Sequence, residues 1–258
     1  MPFGAVTAIP GRGVVGSEAV RHSVFSRRLA AAAAAAAFAG TGVAYAIATP
    51  ASPTREAPPV TAPPVAPQTV APSPGPSVHT VTAAELGDTW RPGCPIGPEG
   101  LRRVDLDYVA PDGTTQRGSL VVNKDYVDDV IAIFAALRQM GYPIAKMQTV
   151  DHYPGAEDEL SMRDNNTSAF NCRPLPGSTD WSLHAYGRAI DVNPLVNPYI
   201  DSSGDLQPAT AGRYLDRTLE YPAMLKAGDP AVRAFTDRGW RWGGAWRNPL
   251  DYQHFEIG

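Results

Sequence analysis

Apolar and polar residues alternate along "RRVDLDYVAPDGTTQRGSLVVN", residues 102–123, on both sides of an Asp-Gly pair. Alternation around such a dipeptide predicts a β-hairpin. The pattern then changes period. In "DYVDDVIAIFAALRQMGY", Val127, Val130, Ile131, Phe134, Ala135 and Leu137 recur at helical spacing, and the run stops at Gly141. "PIAKMQTV" predicts the next strand. Residues 151–180 are rich in Asp, Asn, Ser, Gly and Pro and read as a long surface loop, a kind of segment that often carries function. "GRAIDVNP" reads as a short strand with Ala189 and Asp191 on one face. A second loop is expected over residues 194–227, then a short helix from Pro230 to Arg238. The last six residues, after the aromatic, glycine-rich "GWRWGGAWRNPLDY", resemble a strand. A hairpin, helices and short strands in mixed order imply an α+β domain with a largely antiparallel sheet.

The N-terminal third follows neither period. Arg27 and Arg28 precede an uncharged, alanine-dominated run over residues 29–48 that ends in small residues. That order marks a secretory signal, and the run is also long enough to act as a membrane anchor. Residues 50–76 hold ten prolines of the chain's 26 with only Arg55 and Glu56 as charges, so they cannot bury a core and are expected to form a disordered, extended spacer. The chain therefore divides into a leader (1–48), a Pro-rich linker (49–80) and a folded domain (81–258), preceded by its spacer and expected to be monomeric. A formal net charge of -4 offers no basic footprint for nucleic acid. Cys94 and Cys172 are the only cysteines, and an even number in an exported chain favours a disulfide.

Three histidines, His152, His184 and His254, lie in the folded part. A catalytic zinc uses three protein ligands, usually histidine nitrogen and carboxylate oxygen, and leaves a fourth position to water. His184, Asp191 and His254 supply that set. His152 reads as a residue that caps or packs near a strand end. Ser182, His184, Gly187, Ala189 and Asp191 fit S-x-H-x-x-G-x-A-x-D at every fixed position, and Asp251, His254 and Phe255 fit D/E-x-x-H followed by an aromatic. These paired motifs, over roughly residues 125–258, resemble the zinc D-Ala-D-Ala carboxypeptidase and peptidoglycan endopeptidase family (peptidase family M15).

The resemblance implies an antiparallel sheet flanked by helices, Zn2+ held by His184, Asp191 and His254, Asp251 as the catalytic base, and the stem or cross-link peptides of bacterial peptidoglycan as substrate. A carboxylate three residues from a ligand suits proton transfer from an attacking water to the leaving amine. Glu256 is the alternative base, since on a strand it shares the face of His254. "FNCRP", residues 170–174, resembles the family segment that contributes an active-site arginine, which makes Arg173 the candidate for oxyanion or carboxylate binding. It lacks the usual glycine-tyrosine before that arginine, and Arg163 is an alternative. Trp240, Trp242 and Trp246 read either as strand core or as a cleft lining. Two further functional classes stay open: a non-catalytic zinc-containing cell-wall-binding domain, and a metal-free hydrolase using Ser182, which lacks a Gly-x-Ser-x-Gly setting.

Overall fold

The computed structural model describes residues 74–258. The run at 29–48 and nearly all of the Pro-rich spacer lie outside the described residues. Among the described residues no helix is long and apolar enough to cross a membrane.

The predicted hairpin is present as β2 (Leu101–Val109) and β3 (Thr115–Asn123), after a preceding strand β1 (Ser77–Thr80) and a one-turn helix α1 (Ala83–Leu86). The three strands form an antiparallel sheet in the order β1-β2-β3, with Leu101 opposite Asn123 at one end and Val109 opposite Thr115 at the other. Strand β1 starts four residues before the expected boundary at 81.

Val104, Leu106 and Tyr108 of β2 and Leu120 and Val122 of β3 pack on the helix α2 (Val127–Gln139). The buried side of α2 is Val127, Val130, Ile133, Phe134 and Leu137. Ile133 belongs to that stripe and Ala135, expected there, is exposed, because the sheet accepts a face centred on 130, 134 and 137. At the other face of the hairpin, Val121 joins a second cluster with Leu86, Leu101, Phe170 and Cys172. Cys172 is bonded to Cys94 across 78 residues of sequence, as the cysteine count predicts. A cross-link closing a loop of that length stabilises by about 4–5 kcal/mol in the chain-entropy account.

The expected loop at 151–180 carries more structure than its composition suggests. It contains the helix α3 (Asp158–Arg163) and the strand β5 (Asn166–Thr167), which pairs in parallel with β4 (Lys146–Met147), all that forms of the predicted "PIAKMQTV" strand. Asn166 explains the difference. It is fully buried, and its amide both accepts from the Gln148 amide and donates to the Gln148 carbonyl, each at 2.9 Å.

The expected loop at 194–227 likewise holds a hairpin of β7 (Tyr199–Ile200) and β8 (Leu206–Gln207). Its return path is clamped by Arg217, whose guanidinium donates to the carbonyls of Val196, Tyr214 and Leu225 and to Asn197 Oδ1.

Two small sheets carry the C-terminal half. In the first, β6 (Ala189–Asp191) and β9 (Arg241–Trp242) flank β11 (His254–Glu256), all antiparallel. Phe255 stands opposite both Ile190 and Trp242, and the three sides pack into the main core beneath α4 (Pro230–Thr236). Phe255 stacks on Phe235 with ring centres 3.8 Å apart. In the second, β10 (Leu250–Asp251) pairs with β7, which sets Asp251 opposite Tyr199. The α+β, mainly antiparallel class is as predicted. The sheet is divided into several short pieces because turns and proline interrupt the strands every few residues.

Candidate active site

Side chains alternate across a strand, so with Phe255 in the core its neighbours His254 and Glu256 emerge on the opposite face. Across β6, Asp191 is the register partner of His254 and Ala189 that of Glu256. The alternation that buries Ile190 and Phe255 therefore brings Asp191 and His254 together.

His184 arrives from a separate 3-10 turn, Leu183–Tyr186. Ser182 caps that turn, its hydroxyl accepting from the His184 amide at 3.2 Å. Gly187 ends it in the left-handed conformation (φ 65), where a Cβ would lie 2.6 Å from the backbone nitrogen of Asn123. The fixed serine and glycine of the first motif thus aim the histidine. Ser182 is buried, and its hydroxyl oxygen serves as this cap.

The three side chains meet. His184 Nε2 lies 3.1 Å from Asp191 Oδ2, His254 Nδ1 lies 3.0 Å from Asp191 Oδ1, and the two ring nitrogens are 3.2 Å apart. All three residues are buried. The outer nitrogens have acceptors of their own. His184 Nδ1 lies 2.6 Å from the Ala169 carbonyl, and His254 Nε2 lies 3.2 Å from Glu256 Oε2. A carbonyl or carboxylate oxygen only accepts, so each outer nitrogen is placed to carry hydrogen, and a neutral ring in that tautomer turns its inner lone pair toward Asp191, where a cation would take it up. Two lone pairs and a carboxylate converge on one point.

Such a point selects a cation. Ligand atoms of a tetrahedral zinc, at bonds of about 2.0–2.1 Å, lie about 3.3–3.4 Å apart, close to the spacings here. The electrostatics make the same demand. Asp191 is held far below the usual carboxylate range by both histidines despite its burial. Burial opposes charge on His254, yet Asp191, Glu256 and nearby Asp251 raise it to about 10.

Around this cluster opens a cleft of about 690 Å³, a size suited to a peptide-sized group. Asp251 lines it. Burial first, and the Asp191 charge second among the raising influences, push its carboxyl up to about 7 against the lowering pull of His254 and Arg173. Its Oδ1 is buried with no hydrogen-bond partner among the described residues.

Arg173 lines the same cleft, its Nη2 2.7 Å from Asp158 Oδ2 on α3. Arg163 ends α3 with an exposed side chain away from the cleft, so of the two arginines only Arg173 is brought to the site. Glu256 has both oxygens engaged, Oε2 toward His254 and Oε1 2.5 Å from Arg241 Nη2. Burial works against its charge, and His254 and Arg241 hold it below the usual range.

His152 stays apart. Its ring is largely exposed and hydrogen-bonded to Thr149, in keeping with a capping position near a strand end. Trp240 and Trp242 belong to the core, whereas Trp246 lines the cleft with its ring 5.5 Å from that of His254.

Three further cleft residues carry no motif in the sequence: Asp158, which partners Arg173; Tyr199, the register partner of Asp251; and Gln253, 2% exposed, whose Oε1 has no hydrogen-bond partner among the described residues. Only Gln253 left a usable signal, since it lies between two motif positions.

No curated protein and no solved structure matches the chain. Residues 176–257 match the family model described as D-alanyl-D-alanine carboxypeptidase. The matched segment contains His184, Asp191, Asp251 and His254, and it begins after Arg173. The paired motifs and this match agree, and both make residues 176–257 similar to the peptidases of family M15.

Proposed function

We propose that the chain is an exported zinc metallopeptidase that hydrolyses peptide bonds in the stem or cross-link peptides of bacterial peptidoglycan. The observation that carries this reading is the convergence of two histidine ring nitrogens and one carboxylate at 3.0–3.2 Å, with an acceptor at each outer nitrogen. In the proposal His184, Asp191 and His254 hold the ion. When bound, zinc would supply Lewis acidity and bring the pKa of water from about 15.7 toward 7.

The remaining work falls to the chain. Asp251, buried and raised to about 7, is poised to take a proton from the attacking water near neutral pH. Hydroxide adds to the carbonyl carbon, the C–N bond breaks, and the same proton leaves on the amine. Arg173 offers its guanidinium to the oxygen that becomes negative or to a substrate carboxylate. Its pairing with Asp158 keeps the fork at the cleft wall. Trp246 places an apolar ring 5.5 Å from that of His254 at the cleft wall.

Export through the leader, by a cleaved signal or a retained anchor, would put the domain at its substrate, and the Pro-rich segment would give it reach. A buried base beside the cluster favours catalysis over wall binding alone. The test is Asp251→Ala. The variant is expected to keep one zinc per chain and lose turnover of peptidoglycan peptides, with the wild-type product masses telling carboxypeptidase from endopeptidase action. A fully active variant would remove Asp251 from the mechanism.

A further inference from the structure

We propose that Glu256, braced by Arg241, is a positioning residue that fixes hydrogen on Nε2 of His254 and so keeps Nδ1 turned toward Asp191 and His184 as a cation ligand. This rests on the zinc-site reading above.

The backbone sets the arrangement. Glu256 follows His254 by two residues on β11, so both side chains share one face. Its register partner on one side is Ala189, whose methyl leaves the carboxylate room to lean back along the strand toward the histidine. Its partner on the other side is Arg241, whose guanidinium reaches Oε1 at 2.5 Å. The other oxygen, Oε2, is 3.2 Å from His254 Nε2. Glu256 is thus bound through both oxygens, one to the ring and the other to the Arg241 guanidinium, with its side chain 13% exposed.

The two histidines use different devices for one purpose. His184 has a neutral backbone carbonyl on its outer nitrogen, and His254 has a carboxylate. An ionised acceptor polarises the ring more strongly and makes the inner nitrogen a better donor to a metal. It also favours this tautomer over the other, which would place hydrogen on Nδ1, 3.0 Å from Asp191, and close the ligand position. Arg241 keeps the carboxylate from swinging into the cleft. The arrangement gives Glu256 a task distinct from that of Asp251, whose Oδ1 has no hydrogen-bond partner among the described residues.

Full chains with Glu256→Gln, Glu256→Ala and Arg241→Ala, each checked for native circular dichroism, would be compared by zinc competition against a chelator and by nitrogen-15 spectra of labelled histidine. Loss of Glu256 is expected to weaken zinc about 10- to 100-fold, as for other partners behind a ligand, with Arg241→Ala showing a smaller loss in the same direction. In wild type the Nε2–H of His254 should exchange slowly with water and Nδ1 should carry the metal-bound shift. In Glu256→Ala the Nε2–H signal should exchange fast. Unchanged zinc affinity in Glu256→Ala, or hydrogen found on Nδ1 of His254 in the zinc-loaded wild type, would overturn the proposal. The spectrum of the metal-free chain reads the Nε2–H to Glu256 bond by itself. A wild-type chain that bound no zinc would therefore sink the zinc reading, while a slow Nε2–H made fast by Glu256→Ala would still uphold the positioning bond.

Discussion

The backbone amide of Asn123, the last residue of β3, donates to the carbonyl of Gly187 over 2.8 Å. The Asn123 side chain adds a bond to the Tyr186 carbonyl at 3.1 Å. The end of the hairpin is thereby tied to the turn that aims His184, and the contact leaves no room for a side chain at 187. Gly187→Ala should cost about 1–2 kcal/mol for the left-handed backbone alone and more for the clash with Asn123. It should also weaken zinc by moving His184. Gly113→Ala is the control, because Gly113 has φ 82 with nothing within 4 Å of its would-be Cβ. Denaturant unfolding of both variants should show the larger loss at 187, and equal losses would mean that the contact does not constrain the turn.

Without metal, His254 keeps its proton to about pH 10 in the folded chain and only to about 6.5 when unfolded. Its stabilising contribution is complete below pH 6.5 and is lost as pH rises toward 10. Asp251 has the same sign at lower pH, from its ordinary 3.8 to about 7. Zinc works oppositely, since its ligands must be deprotonated. Thermal melts of metal-free and zinc-loaded chain should therefore diverge between pH 6.5 and 9, with the metal-free form falling. A gap that stays constant with pH would contradict the assignment of His254 as a ligand.

Arg173 is the cationic side chain of the cleft wall whose charge reaches Asp251 and Tyr199. Removing one donor to a developing oxyanion costs about 10²–10³ in kcat. Arg173→Ala should fall in that range with zinc content unchanged, and Arg173→Lys should recover little, because an ammonium lacks the fork that meets Asp158 and substrate together. Steady-state kinetics with zinc analysis on the same samples checks this. Wild-type kcat in Arg173→Ala would leave Arg173 as a structural partner of Asp158 alone.

Much of this site was legible from spacing. The hairpin, α2 and the strands holding Asp191 and His254 follow from local period, and the two motifs supply the cluster because the strand alternation of Ile190 and Phe255 fixes the side of their neighbours. The polar stretches were less legible. Asn166, Asn197 and Arg217 look like loop residues in sequence, yet their side chains satisfy backbone groups of segments up to 28 residues away, contacts that no local pattern records. The same limit explains Glu256. Two-residue spacing puts it on the face of His254, but which ring nitrogen it meets depends on Ala189 and Arg241 across the sheet.

The central claim is that the chain acts as a peptidase through a metal held by His184, Asp191 and His254. It is tested most directly by following release of new amino groups from a D-alanyl-D-alanine-ended peptidoglycan peptide by the purified chain, before chelation, after chelation and after zinc is returned. The account predicts hydrolysis that stops on chelation and returns with about one equivalent of zinc, and that never returns in Asp191→Ala. Hydrolysis that continues undiminished in chelator would contradict it.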